Sequence, residues 1–307
     1  MLVVIYHSFP EIKAPKELGS IIHQINNIIN FRMVLFFFIS GFLLYYTKIQ
    51  KNSSFRDILQ ERIPRIIYPY LFITFVIFSL KVIFNPYVQH PVEFTFSTVL
   101  NLFLYPKTNP WMSLWFLNVL LIFFLLYPLL KYSLKNKYLL LSTVFICLGL
   151  NLFFPKNIRL LDLSTVASYL LFFYVGILFA KFQWQNYLKS KAVGLGLFAF
   201  FILSLFFDYH NLLHFFTGIG ISICFALFCS EKIPNLFSSF RDYYYQIYLF
   251  GTFLQVVILQ IHTKSENLYT YLIICFLCTI GSIYIPKGVS KAILRLHWKP
   301  LLKVIGF

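Results

Sequence analysis

Acid is what this sequence has least of. Ten Asp and Glu stand against 26 Lys and Arg in 307 residues, and charged residues make up only 12% of the chain. That is about half the share usual in soluble proteins, so a soluble globular domain is excluded. The ten carboxylates are Glu11, Glu17, Asp57, Glu61, Glu93, Asp162, Asp208, Glu231, Asp242 and Glu266, and none lies in the middle of an apolar run. Ion-coupled transporters carry acidic sites in mid-membrane, so their absence argues against that class. Cysteine is scarce too. Cys147, Cys224, Cys229, Cys275 and Cys278 all sit in apolar stretches and read as small core residues, not a disulfide framework. No His/Cys cluster has ligand spacing, so no metal is expected. Soluble linkers, low-complexity tracts and internal repeats are missing as well, which removes disordered and fibrous classes.

What is present is apolar and aromatic. Hydrophobic residues make up 59% and aromatics 21%, with mean hydropathy +0.76. This composition predicts an all-α integral membrane protein, a bundle of about ten transmembrane helices. The apolar runs fall near 1–9, 32–47, 66–84, 114–130, 138–154, 166–182, 192–207, 213–230, 243–261 and 269–285. Between them Lys and Arg alternate. The segments 48–65, 131–137, 181–191, 231–242 and 286–307 hold 18, and the alternate segments hold 6. That asymmetry puts the C-terminus in the cytoplasm and the protein in the plasma (cytoplasmic) membrane as a multi-pass chain. The net charge of +16 belongs to those loops, and no nucleic acid is expected as a partner. Lys287, Lys291, Arg295, Lys299 and Lys303 recur every four residues. We therefore expect a basic amphipathic cytoplasmic tail over 286–307 on anionic lipid, following a transmembrane domain over 1–285.

The first run is too short. Nine residues of helix reach about 14 Å, and the hydrocarbon core is about 30 Å thick. The run lacks the basic segment and cleavage site of a signal peptide. We expect the chain to begin partway through its first helix, so that this helix is truncated or starts upstream.

Few residues here have a cost that chemistry would explain. His7 stands near the outer end of the first run and serves either as an interfacial polar residue or as a catalyst. Arg32 opens the second run, where it either snorkels to the interface or acts on a substrate. Lys81 is read as snorkelling. Arg62 and Arg65 are three apart, so on a helix they share a face. Arginine forks bind phosphate bidentately, which suits a nucleotide-like ligand as well as plain positive-inside charge does. The outer segment 85–113, with Pro86, Pro91, Pro106 and Pro110 and with Tyr87, Tyr105 and Trp111, is either an interfacial aromatic belt or a surface for sugar rings. The Cys275-x-x-Cys278 spacing lies inside a span and carries no redox signal. Gly194/Gly196 and Gly218/Gly220 are read as close helix approaches.

In order along the chain these elements resemble one family, the membrane-bound acyltransferase 3 family of O-acyltransferases. Val-Val-Ile-Tyr-His7-Ser is similar to that family's first-helix end. Arg32-Met-Val-Leu-Phe-Phe-Phe-Ile-Ser40-Gly41 resembles its second helix, and Arg62-Ile-Pro-Arg65-Ile-Ile-Tyr-Pro69-Tyr70 its R-x-x-R and entry to the third. Trp115, the run ending at Gly176 and the Tyr248-Leu-Phe stretch follow in sequence, so the likeness covers roughly 1–285. Two departures stand out. The family's first helix carries an arginine ten residues before the histidine, a position that would precede Met1. Many members also have a histidine where Gly251 stands.

The resemblance implies an acyltransferase (O-acetyltransferase) that takes an acyl group from cytoplasmic acetyl-CoA. The acceptor would be a hydroxyl of a cell-surface polysaccharide, another glycan or a lipid-linked sugar. His7 would be the general base and Arg32 the oxyanion or donor-orienting group, while Arg62 and Arg65 would hold the CoA phosphates. Ser40 is a further hydroxyl, with helix packing as its plainer role. Two rival readings are a polysaccharide or lipid-linked sugar transporter and an inactive truncated homologue.

Overall fold

A computed structural model of the protein describes residues 2–10, 14–85, 93–108, 114–207, 211–232, 243–244, 246–251, 255 and 268–295. The described residues are helical, without a strand. In chain order they form α1 (Leu2–Ser8), α2 (Lys16–Ile28), α3 (Arg32–Leu44) continuing as a π-helical turn (Tyr45–Ile49), α4 (Phe55–Glu61), α5 (Ile63–Ile83), α6 (Phe96–Leu104), α7 (Trp115–Leu125), α8 (Tyr127–Ser133), α9 (Lys137–Phe153), α10 (Leu163–Lys181), α11 (Lys191–Ser204), α12 (Leu212–Lys232) and α13 (Leu268–Arg295). This is an all-α integral membrane protein.

The expected ten spans are not all reproduced by length. Among the described residues five helical stretches are long and apolar enough to cross a membrane, and six if a bent pair is one span. That pair is α7 and α8, which meet at 53°. Pro128 lies in the first turn of α8, where it has no N–H to give the preceding turn, so the run 114–130 breaks there. α9 and α11 have 17 and 14 residues and fall short of a full crossing. The ninth run, 243–261, lies largely outside the described residues. So do Pro86, Tyr87, Pro91, Pro110 and Trp111 of the outer segment, and Lys299 and Lys303 of the tail. α13 runs on through Pro286 to Arg295 as one 28-residue helix, joining the last apolar run to the start of the basic stretch.

The chain forms two compact units, one built around Met1–Phe36 with Gln183–Trp298, the other around Phe37–Phe182. In the second, α3 and α10 approach backbone to backbone. A Cβ placed on Gly41 would run into the Phe173 carbonyl, and one on Gly176 into the Phe38 carbonyl. Without a strong hydrophobic drive between helices in lipid, such small-residue contacts are what let van der Waals packing hold a pair. The crossing seats an aromatic core around Phe37, which is fully buried against Phe116, Phe123 and Tyr169 with centroids 4.8–5.4 Å away.

The first unit is pinned by a buried histidine that the sequence reading passed over. His214 is fully buried, and its Nε2 lies 3.1 Å from the Ile28 carbonyl, which can only accept, so that nitrogen carries the proton. Its Nδ1 is 3.1 Å from Ser204 Oγ, and its ring stacks on Phe201 at 5.0 Å. Of the four glycines read as close approaches, Gly218 meets the Phe31 ring and Gly220 the Leu197 side chain. Gly196 faces open space, and Gly194 has only Cys224 Sγ at 4.0 Å. All five cysteines are free thiols, and all but Cys224 are buried.

The crossing yields a test. Gly41→Val and Gly176→Val each drive a side chain into backbone that cannot swing aside, at a cost of about 1–3 kcal/mol or more. We expect both to lower the melting temperature in detergent and to shift the protein toward aggregate on size exclusion. Gly149→Ala, which enters open space, should melt at or above the wild-type temperature. A Gly41→Val protein that melts like wild type would contradict this packing.

Candidate functional site

Two sets of sequence-predicted residues take up defined geometry, one in each unit. In the first unit, α1 is seven residues long and ends Tyr6-His7-Ser8. Arg32 is the first residue of α3, and its Nη1 lies 3.4 Å from the Ile29 carbonyl in the preceding turn. The guanidinium carbon sits 3.4 Å from the centroid of the Tyr6 ring. The face of a ring is its negative pole, so this is a cation–π contact. His7 meets the same ring edge-on at 5.0 Å and 81°. Arg32 is close enough for its charge to bear on the imidazole. The structure therefore brings His7 and Arg32 together, with Tyr6 as the part that joins them. His7 is exposed, although neighbours crowd its ring, and Tyr6 and Arg32 are half-buried.

Chemically this is a base beside a fixed cation. An exposed imidazole has a nitrogen that can take a proton. The guanidinium offers planar donors and a permanent charge for an anion that forms nearby. The Tyr6 ring face holds that guanidinium in place and leaves its formal charge intact.

In the second unit, Arg62 and Arg65 lie at a helix junction, not on an uninterrupted helix. α4 starts with a capping box in which Ser54 Oγ accepts from the Asp57 N–H at 3.2 Å and Asp57 accepts from the Ser54 N–H at 2.7 Å. It ends at Glu61, and Pro64 restarts the helix as α5. Arg62, half-buried between the two, donates from Nη2 to Thr47 Oγ1 at 2.7 Å, and Thr47 donates on to the Leu43 carbonyl at 2.6 Å. Arg65 is exposed. Lys48, nearly buried, pairs with Glu61 at 2.6 Å. The π-helical turn Tyr45–Ile49 carries both Thr47 and Lys48, so one irregular turn receives the two anchors of the junction. Tyr127 Oη and Lys131 Nζ both donate to the Ser53 carbonyl, at 2.7 and 2.8 Å. Fixed guanidinium donors at a basic end of the unit fit phosphate groups in charge and in geometry.

These elements occur in the order expected of one family, and its sequence profile, described as an acyltransferase domain, matches residues 1–286. The chain belongs to the acyltransferase 3 family. No curated protein and no solved structure matches it significantly. The protein is thus a membrane acyltransferase, and the remaining features of the site are those of this acyltransferase. A Cβ on Gly251 would lie 2.6 Å from the Ser282 carbonyl oxygen on α13. Any side chain at 251 would have to push that helix away. Ser40 is half-buried on α3. Lys107 pairs with the buried Asp162 at 3.0 Å, where Leu161 and Asp162 are both left-handed. Among the described residues no group of His, Cys, Asp or Glu could hold a metal.

Sequence reasoning missed Tyr6, Thr47, Lys48 and Glu61 as partners. Tyr6 had a usable signal, since a cation at the edge of an apolar run is well served by an aromatic face. The Thr47–Lys48 turn had none, because a π-turn leaves no mark on residue spacing.

Tyr6 generates a prediction. Tyr6→Phe keeps the ring face, worth about 0.5–2 kcal/mol at a half-buried site. It should keep acyl transfer within about twofold. Tyr6→Leu removes the face and should lower transfer about tenfold, with expression and melting unchanged. Equal activity in both variants would show that the ring does not hold the pair.

Proposed function

We propose that the protein is an O-acyltransferase moving an acetyl group from acetyl-CoA to a hydroxyl of a cell-surface glycan or lipid-linked sugar. The observation that carries this reading is the Tyr6-joined pair of His7 and Arg32 in a chain of this family. His7 removes the proton of the acceptor hydroxyl, whose oxygen attacks the thioester carbonyl carbon. The carbonyl oxygen becomes an anion, which Arg32 stabilises. As the C–S bond breaks, CoA leaves as thiolate and takes the proton back from His7. An ester and free CoA thiol result, with no metal and no redox partner in the balance.

Arg62 and Arg65 are the proposed phosphate ligands of the donor. Arg62 is tethered through one nitrogen to Thr47, which limits the entropy lost when its other N–H groups bind an anion. Sidedness follows the basic loops. The 48–65 segment and the C-terminus face the cytoplasm, and the acceptor binds at the outer side. Membrane lipids are the surrounding partner, and the basic residues Lys287, Lys291 and Arg295 on α13 suit an anionic leaflet.

The test is acetyl-CoA turnover by the purified protein. His7→Ala should abolish CoA release, a loss of at least about 100-fold for a general base. Arg62→Ala with Arg65→Ala should raise the acetyl-CoA KM about tenfold or more and change kcat less, because each arginine–phosphate contact is worth about 1.5–3 kcal/mol. A folded protein that binds no CoA would overturn the acyl-CoA reading in favour of glycan transport. Binding without any turnover, in the presence of acceptor, would point to an inactive homologue.

A further inference from the structure

α1 carries Tyr6 and His7 in its last turn, where helix ends fray most readily. Yet His7 must be held still to act. Within the same unit, Gln255 reaches across to the end of α1. Its Nε2 donates to the Val4 carbonyl at 2.7 Å and to Ser8 Oγ at 2.8 Å. Ser8 Oγ in turn donates to the same Val4 carbonyl at 2.9 Å. Val4, Ser8 and Gln255 are all buried, with 4%, 0% and 1% of their surface exposed. Two donations from one amide therefore close on the turn that carries Tyr6 and His7, from a residue 251 positions away in sequence.

The other end of the same amide sharpens the point. Gln255 Oε1 is buried and has no hydrogen-bond partner among the described residues. A buried orphan acceptor is a cost that methionine or leucine of similar volume would not carry. Packing alone would be better served by either. What only an amide supplies here is the pair of N–H donations onto α1.

We infer that Gln255 is a positioning residue for His7: it locks the last turn of α1 so that the imidazole is presented at a fixed depth and rotation. The inference rests on the reading of His7 as the general base. Supporting shells of this kind determine whether a catalytic group sits within the tolerance that proton transfer requires.

The experiment is steady-state acetyl transfer by Gln255→Met, Ser8→Ala and the double variant, with His7→Ala beside them. Gln255→Met should lower kcat about tenfold or more while the acetyl-CoA KM stays within twofold and the melting temperature is unchanged. Hydrogen exchange should quicken in α1 and nowhere else. Ser8→Ala loses one arm of the clamp and should lower kcat by a smaller factor. The double variant should be no worse than Gln255→Met, because both act through one clamp. Should Gln255→Met fail to fold, Ser8→Ala still has to lower kcat without raising KM. Wild-type kcat in either single variant, a KM that rises in step with the loss of kcat, or multiplicative losses in the double would overturn the inference. Full activity in His7→Ala would instead overturn the assignment of the base, so the two failures are told apart.

Discussion

A guanidinium is costly to bring toward hydrocarbon without a partner, and where Arg32 rests decides what the first unit can do. The face of Tyr6 lies 3.4 Å from the Arg32 guanidinium carbon. A ring face attracts a cation but leaves its formal charge intact. A guanidinium held in this way can act on an anion formed during a reaction. Tyr6 also meets His7 through its edge, so one aromatic ring fixes the separation of a base and a cation. The last turn of α1, which carries the pair, is held by hydrogen bonds from the buried Gln255 of the same unit.

The second unit solves a different problem with backbone contact. Gly41 and Gly176 let α3 and α10 touch carbonyl to Cα, and Phe37 and its aromatic neighbours fill the space that the crossing creates. Past Leu44 the same α3 loosens into a π-turn. That turn offers Thr47 to Arg62 and Lys48 to Glu61. Rigid packing along the helix and irregular backbone at its end are thus two consequences of one run, 32–49. Its apolar part is committed to packing and its polar end to the basic junction.

The sequence made the helices legible because apolar runs of this length have few other fates. Runs near 32–47, 66–84, 166–182 and 213–230 all coincide with helices. What it hid was interruption. The 53° bend before Pro128 and the junction before Pro64 are local backbone events inside otherwise continuous patterns. α2 was also hidden, since Lys16–Ile28 has too little apolar content to read as a span, and its pattern is that of an amphipathic helix. The candidate site was half legible. His7, Arg32, Arg62 and Arg65 stood out as cations or titratable groups in costly places. Their partners did not, because Tyr6, Thr47 and Gln255 are ordinary residues whose roles depend on what folding brings beside them. His214 shows the converse, as a histidine whose hydrogen bonds to Ser204 and Ile28 make it part of the packing.

The central claim is that His7 is the proton acceptor, and chemical rescue tests it most directly. His7 is exposed, so replacing it with alanine opens a space that small molecules can reach. Acetyl transfer by His7→Ala should be restored in part by added imidazole. The restored rate should fall as pH drops and the free base is protonated, and the wild-type rate should fall on its acid side in the same sense. Arg32→Ala, which keeps its own histidine, should gain nothing from imidazole. A His7→Ala enzyme that transfers acetyl groups at the wild-type rate without imidazole would contradict the account.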